Sequence, residues 1–255
     1  MNKSDIHNAI PLTDRQSKLP LLYFTIMISI MHICNVMAFK TLVIFGFIFS
    51  FTGLFFPMSF LLLTALTESY GHVEAERHIF YILLGQTILI GVVSLAVRID
   101  IATGGPVTQQ YYDLYKHFYR LIISSNLSVG LSYYFTSALN SKFKCWLLGK
   151  MWWTRFLIAN GIGQVIIVCV AYPVNFYDIL PWWQILEICV NTWLFKMCLV
   201  LILLLIAPVL VRMNRRIDHI EVYDFNILYN PIKMYKDGNY GKNYFHKRLR
   251  KSDHR

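Results

Sequence analysis

The sequence predicts an all-α integral membrane protein with six transmembrane helices. Of its 255 residues, 56% are hydrophobic and only 15% are charged, and the mean hydropathy is +0.47. Soluble domains of this size carry more charge and have shorter, periodic apolar segments. A bilayer core about 30 Å thick requires roughly 20 apolar residues per helix. Six stretches reach that length: 20–39, 42–67, 78–98, 114–139, 151–173 and 182–211.

The distribution of lysine and arginine predicts that both termini face the cytoplasm. With six spans the termini share one side, and that side then carries eighteen basic residues. The other side carries only Lys40 and Arg98. This asymmetry follows the positive-inside rule, so residues 1–19 become a cytoplasmic N-terminal segment and residues 212–255 a basic cytoplasmic tail. The positive charge brackets membrane spans, so the bilayer, and not nucleic acid, is the expected partner.

The tail and the cysteines suggest no further domain or bound group. Asn230-Pro231 and Asp237-Gly238 are turn signals, and we expect the tail to be largely solvated and irregular. The five cysteines are scattered and none shows CxxC spacing, so neither a metal site nor a disulfide framework is expected. The sequence has no GxxxxGK[ST] phosphate loop, and no cofactor is predicted.

Lys196 is the most unusual residue for a bilayer interior. It lies near the middle of the run 182–211, too far from either end to reach a surface easily. A charge at that depth costs several kcal/mol unless it is paired or faces water. Glu187 lies nine residues earlier, on the opposite side of a straight helix, so the two cannot pair directly. Lys196 therefore either locks helices together through an acid elsewhere or contributes to a substrate site.

The fourth span carries a row of small hydroxyl side chains beside an arginine. The row repeats every four residues and so forms a slanting seam on one helix face: Arg120, Ser124, Ser128, Ser132 and Thr136. Serine rows often hold transmembrane helices together. The seam therefore either packs against a neighbouring helix or, near Arg120, lines a cavity.

Polar residues of other spans fall at similar depths. In the predicted orientation His32 and Asn35 lie in the outer half of the first span, and Gln164 lies near the middle of the fifth. If these side chains converge, they form a polar pocket that is open to the outside. We expect it to bind substrate through Asn35, Arg120, Ser124, Gln164, Glu187 and Lys196.

The second span ends in the polar cluster of the stretch FFPMSFLLLTALTESYG, residues 55–71. Glu68 lies at the cytoplasmic end of this span, and Arg155 lies about one turn inside the cytoplasmic end of the fifth. Equal depth makes Arg155 the expected partner of Glu68. Such an ion pair would act either as an inner gate or as a fixed structural clamp.

The same stretch resembles the hallmark of the vitamin uptake transporter family, F-P-x-x-[YF]-x-x-x-D-x-x-[TS]-E-x-[YF]-G-x-x-x-A-R-R. The matching positions are Phe56, Pro57, Phe60, Thr67, Glu68, Tyr70, Gly71, Ala75 and Arg77. The likeness keeps its segment order over roughly residues 20–233 and ends in VYDFNILYNPIK of the tail. It includes Asn35, Arg120, Arg155, Gln164 and Lys196.

The resemblance implies a multi-pass importer of the cell inner membrane and not an enzyme. The best-known members of the family import queuosine precursors, so the implied substrate is a small, flat compound of the 7-deazaguanine type. One alternative is a substrate-binding membrane subunit for another vitamin-like compound, which would need a separate energising module. Another is a membrane scaffold that transports nothing. A membrane enzyme would need a nucleophile–base or metal constellation, whereas His32 stands alone on its helix.

The chain departs from the family pattern where the family usually has acids. Thr64 replaces an aspartate in the second span, and Ile167 and Val168 replace Asp-Thr in the fifth. Glu76 replaces an arginine. If the missing acids bind the guanine-like edge of a deazapurine or couple protons, this chain binds another compound or works differently.

Overall fold

Seven helices and two pairs of short strands build the described part of the chain. The computed structural model describes residues 19–44, 46–99, 106–218, 220–224, 229 and 245–248. Nearly all of the predicted N-terminal segment, residues 1–19, lies outside these ranges. The helices are α1 (Leu19–Val36), α2 (Phe56–Tyr70), α3 (His72–Ala96), α4 (Pro106–Tyr115), α5 (Arg120–Trp146), α6 (Trp152–Phe176) and α7 (Trp182–Asp218). The antiparallel strands are β1 (Thr41–Ile44) with β2 (Phe47–Ser50), and β3 (Ile220–Tyr223) with β4 (Phe245–Arg248).

The bundle is apolar on its outside and rich in polar side chains within, the reverse of a soluble domain. Helix α5 shows this most clearly. The seam points inward, with exposures of at most 1%: Ser124, Ser128, Ser132 and Thr136. The opposite face presents side chains that are 38–68% exposed: Ile123, Leu127, Leu131 and Phe135. Continuous apolar surfaces of this kind are unfavourable in water and suit a lipid environment.

Helix length and composition place the chain in a membrane. Within the described residues, five helical segments are long and apolar enough to cross one: Leu19–Val36, Phe51–Tyr70, His72–Ala96, Trp152–Phe176 and Trp182–Asp218. Helix α5 has 27 residues, enough to cross a core about 30 Å thick, but its hydroxyl seam makes it less apolar. The protein is therefore a helical membrane protein in which α5 is the most polar long helix.

Helix α2 occupies the centre of the bundle. It packs against α1, α3, α5, α6 and α7, and nearly all of its side chains are buried. Pro57 stands in the first turn, where its missing N–H costs no hydrogen bond. Gly71 ends α2 and precedes α3 with φ +89°, and a Cβ there would lie 2.7 Å from Asp224 Oδ1. The reversal between α2 and α3 therefore requires glycine.

The structure corrects the prediction of a continuous second span at 42–67. Residues 41–50 form the β1–β2 hairpin, and Phe51–Leu54 form a 3-10 turn before α2 begins. The hairpin strands are rich in β-branched and aromatic residues, which fit a pleated surface. Gly46, with φ +83°, lies in the turn between them. Strand β2 packs against α7, whereas Val43 and Phe47, on either side of the turn, are 70% and 55% exposed.

The structure also corrects the predicted start of the tail. Helix α7 continues to Asp218, beyond the predicted end at 211, and the chain then folds back as β3. Strand β3 packs against α2, α5 and α7. Its end is buried, with exposures of 8% or less: Glu221, Val222, Tyr223 and Asp224. This part of the tail is thus a component of the bundle and not a solvated segment.

Candidate functional site

Lys196 lies in the interior without a hydrogen-bond partner among the described residues. Its side chain is 0% exposed. The Nζ atom lies 4.9 Å from the ring centroid of Phe56 and 5.5 Å from that of Tyr172. Aromatic faces attract an ammonium by about 0.5–2 kcal/mol, but they accept none of its three N–H groups in a conventional hydrogen bond. The Lys196 amine is therefore buried beside two aromatic rings, and its hydrogen-bonding capacity is unused among the described residues.

The break before α2 covers Lys196. A Cβ on Gly53 would lie 2.9 Å from Thr192 Cγ2 and 3.9 Å from Lys196 Cε, so the backbone approaches α7 closely there. The Ser50 N–H donates to Thr192 Oγ1 over 3.1 Å. Non-helical backbone at membrane depth is tolerated where it lines a cavity or is buried in protein. We call Gly53, Phe56, Tyr172, Thr192 and Lys196 the Lys196 site.

Helix α6 adds further unused polar atoms. Gln164 is 0% exposed, and neither of its amide atoms has a hydrogen-bond partner within the described part of the chain. Asn160, one turn earlier, donates to Thr64 Oγ1 over 3.2 Å while its own Oδ1 is unpaired there. Gln164 and Tyr172 are eight residues apart, about 12 Å along the same face of α6. The polar face of α6 thus leads from Thr64 towards the Lys196 site.

Asn35 belongs to a hydrogen-bonded group between α1, α3 and α5. Ser125 donates to Asn35 Oδ1 over 2.9 Å and lies 3.3 Å from Gln86 Oε1. Gln86 in turn donates to Asn126 Oδ1 over 2.6 Å. Within the described residues Asn35 Nδ2 has no acceptor. The Oδ1 atom of Asn35 therefore accepts a hydrogen bond that holds the side chain in place, while Nδ2 can donate to a further group.

The remaining predicted site residues do not join this group. Ser124 donates to Asn175 Oδ1, and Arg120 donates to the carbonyl oxygen of Tyr177, so both connect α5 to the end of α6. Glu187 is half-buried on α7, and no contact with Lys196 is observed. These two bonds connect α5 and α6 at this end of the bundle, and a role of Ser124 and Arg120 in substrate binding stays a prediction.

Glu68 and Arg155 form a buried bidentate ion pair. Arg155 Nη1 lies 3.0 Å from Glu68 Oε2, and Nη2 lies 3.2 Å from Oε1. Each side chain is 1% exposed. Arg155 also donates to the carbonyl oxygens of Lys150 and Gly149, which lie in the turn before α6. The pair joins the central helix α2 to α6 in a low-dielectric environment, where such bonds are strong.

Three residues that the sequence did not point to complete this cluster. Lys144 Nζ lies 4.0 Å from Glu68 Oε1 and 3.7 Å from Glu221 Oε1. Arg215 Nη2 lies 3.6 Å from Glu68 Oε1 and 2.6 Å from Glu221 Oε1. Two carboxylates therefore balance three cations. We call Glu68, Lys144, Arg155, Arg215 and Glu221 the inner ion cluster.

Strand β3 closes the end of the bundle over this cluster. Lys144 donates to the carbonyl oxygens of Glu68 and Val222 and lies 4.4 Å from the Tyr223 ring centroid. Burial, then the neighbouring Glu221 carboxylate, raises the pKa of the Tyr223 hydroxyl, which therefore stays neutral and donates to Glu221 Oε1 over 3.1 Å. Residues of the tail are thus in direct contact with buried charged side chains of the helices.

Asp224 ties the tail to the start of α3. Its Oδ2 accepts from the His72 N–H over 2.7 Å and from the Ser141 hydroxyl. His72 Nδ1 lies 2.8 Å from Ser137 Oγ, and its Nε2 lies 3.2 Å from Glu76 Oε1. Glu76, which stands where the family pattern has arginine, therefore contacts His72 one turn earlier on the same helix.

The positions that lack the family's aspartates are filled by neutral groups. Thr64 is 1% exposed and accepts from Asn160. Ile167 belongs to an apolar cluster with Phe60, and Val168 packs in another with Tyr172. Within the described residues, no group of three His, Cys, Asp or Glu side chains is placed to hold a metal ion. The interior around Lys196 consequently has hydroxyl, amide and aromatic groups, and among the described residues no carboxylate pairs with the amine.

Replacing Gly163 by alanine should destabilise the protein by about 1–3 kcal/mol, because an added Cβ would overlap Phe60 Cε1 at 2.5 Å and Thr136 Oγ1. The midpoint of thermal unfolding in detergent measures this loss. Gly91→Ala is the matched control, since a Cβ there meets nothing within 4 Å. Equal midpoints for both variants would show that α5 and α6 do not approach as closely as described.

Comparison with known families identifies a family to which the chain is similar. The family model described as "Putative vitamin uptake transporter" matches residues 50–211, more than half of the chain. The match runs from the end of β2 to within α7 and includes both Glu68 and Lys196. No curated protein and no solved structure matches the chain.

Proposed function

Because the chain belongs to the vitamin uptake transporter family, we propose that it imports a small, polar, flat heteroaromatic compound into the cytoplasm. On this proposal the cargo is a queuosine precursor of the 7-deazaguanine type or a similar compound. The observation that carries it is the pair of fully buried, unpaired side chains Lys196 and Gln164. Uncompensated polar groups at membrane depth are costly, and they mark substrate pathways in membrane proteins.

The Lys196 site has the composition that such a cargo requires. Phe56 and Tyr172 present ring faces beside the ammonium, and a flat ring can stack on aromatic faces of this kind. Gln164, which lies outside this group on α6, offers two N–H donors and an acceptor oxygen, which suit the lactam edge of a purine-like ring. Ligand pockets typically combine aromatic walls with a few such polar groups.

On this proposal, the inner ion cluster is a closed gate on the cytoplasmic side. Glu68 and Arg155 join α2 to α6, and Lys144 joins both α2 and β3. Release of cargo into the cytoplasm requires these buried contacts to separate. Alternating access of this kind moves one part of a bundle against another around a central site.

We further propose six spans, namely the five apolar helical segments and the more polar α5. On this proposal the protein lies in the inner membrane of the cell with both termini in the cytoplasm. Reporter domains fused after Gln110 or Asp178 should then report an outside location. Fusions after Lys150 and at Arg255 should report an inside location. An inside signal from Asp178 would overturn the six-span topology, because it would place both ends of α6 on one side.

Uptake into cells tests the proposed function. Cells that cannot make 7-deazaguanines, and that lack their own importer, should take up the labelled compounds only when they express this chain. Its amount in the membrane is measured in parallel. Uptake no higher than in cells with an empty vector, despite normal amounts of protein, would overturn the proposal.

A further inference from the structure

The charge around Lys196 restricts what the site can hold. Asp178, in the turn after α6, is exposed, and other carboxylates near the ends of the helices have partners elsewhere: Glu68 with Arg155, Glu74 with Arg77, Glu76 with His72, Asp113 with Lys116, Asp218 with Tyr70, and Asp224 with His72 and Ser141. Glu187 lies on α7 itself, nine residues away and on about the opposite side of the helix. Among the described residues no carboxylate pairs with Lys196.

The unused polar atoms near this depth are dominated by donors. Lys196 has three N–H donors, and Asn35 Nδ2 and Gln164 Nε2 add amide donors without acceptors among the described residues. The unused acceptors there are the amide oxygens of Asn160 and Gln164, which are neutral. A site of this composition binds a group that accepts hydrogen bonds and carries negative charge.

From these observations we infer that the cargo of the Lys196 site is an organic anion, a flat ring bearing a carboxylate that pairs with Lys196. The inference rests on the proposed function and adds the charge of the substrate. Cargo and lysine then neutralise each other inside the bundle, which removes the need for an acid from the protein.

A pocket beside the C-terminal end of α3 is also positively charged, like the proposed Lys196 site. It encloses about 430 Å³. The side chains that line it include Arg98, Lys116, His117, Tyr112, Tyr115 and Tyr119. Burial, and then the nearby Arg120 and Lys116, lowers the pKa of His117, and Lys116 pairs with Asp113, so the uncompensated positive charge at neutral pH comes from Arg98. In the proposed orientation this pocket opens outside, where it would attract an anion with aromatic character.

Three ligands that share one ring test the inference with the purified full chain in lipid nanodiscs. They are 7-deazaguanines that carry a carboxylate, a nitrile or an aminomethyl group at C7, and they differ in charge at neutral pH. We expect the carboxylate to bind at least about 10-fold more tightly than the aminomethyl compound, as a charge-assisted hydrogen bond predicts. Equal or tighter binding of the aminomethyl compound would overturn the anion inference and leave the importer proposal intact.

Variants then assign the preference to Lys196. Lys196→Met should weaken binding of the carboxylate at least about 10-fold and change binding of the nitrile much less. Lys150→Met, at an exposed lysine before α6, should leave both affinities unchanged. A carboxylate preference that survives in Lys196→Met would overturn the assignment.

A second matched pair separates the two proposals. Nicotinate and nicotinamide share a ring and differ in the charge of one substituent. If no 7-deazaguanine binds but nicotinate binds more tightly than nicotinamide, the anion inference stands and the deazaguanine cargo is wrong. If no carboxylate is preferred over its neutral partner in either series, or if no compound binds, the anion inference is overturned.

Discussion

Glu68→Gln is expected to destabilise the folded protein by about 3–5 kcal/mol, the typical cost of removing one partner from a buried ion pair. The carboxylate is the one that lies 3.0 Å from Arg155, 3.6 Å from Arg215 and 4.0 Å from Lys144. Glutamine of the same shape leaves these cations with only Glu221 to balance them. The midpoint of thermal unfolding in detergent should fall well below that of the unmodified chain.

Glu74→Gln is the matched control for this change. Glu74 pairs with Arg77 over 3.2 Å, where the Arg77 side chain is 67% exposed, and its other carboxylate oxygen lies 3.7 Å from His78 Nδ1. Loss of an exposed pair costs less than about 1 kcal/mol. Equal midpoints for the Glu68 and Glu74 variants would contradict a buried ion cluster. Exchanging Glu68 and Arg155 should rescue little stability, because the new arginine would face Lys144 and Arg215.

Lys196→Met is expected to lower uptake at least about 10-fold while the protein remains folded. The change removes charge-assisted hydrogen bonds to the cargo, which are worth about 1.5–3 kcal/mol each. The Lys196 amine pairs with no carboxylate among the described residues, so an apolar side chain of similar length strands no buried acid. Thermal stability should stay the same or rise.

The stability measurement separates a substrate lysine from a structural one. A large fall in the unfolding midpoint of Lys196→Met would mean that Lys196 stabilises the bundle through a partner, and its role in binding would be wrong. Normal stability with normal uptake would remove Lys196 from the site altogether. Lys150→Met, at an exposed position, should change neither quantity.

Hydropathy predicted the helical membrane fold, and depth within the helices predicted that Glu68 pairs with Arg155. The long apolar runs predicted α1, α3, α6 and α7, because only helices satisfy their backbone groups within lipid. Depth alone suggested that Glu68 faces Arg155, and in the structure these side chains lie 3.0 Å apart. Depth is a single coordinate along the membrane normal, and the position of a residue within its helix gives it directly.

Other features depend on information that a run of apolar residues does not carry. Residues 41–50 are as apolar as a helix, so hydropathy cannot distinguish the β1–β2 hairpin from a span. Helix rotation decides that Lys196 is 0% exposed while Glu187 is half-buried on another face. The buried contact of Lys144 with β3 could not be predicted, since β3 belongs to a tail whose composition resembles that of a solvated segment.

Uptake into liposomes that contain only the purified chain tests most directly whether this protein carries a flat heteroaromatic cargo by itself. Liposomes with the unmodified chain should accumulate a labelled 7-deazaguanine or its carboxylate, and the unlabelled compound should compete. Liposomes with Lys196→Met, at equal protein content, should accumulate at least about 10-fold less. Accumulation no greater than in protein-free liposomes, from a chain that is folded and correctly inserted, would contradict transport by this chain alone.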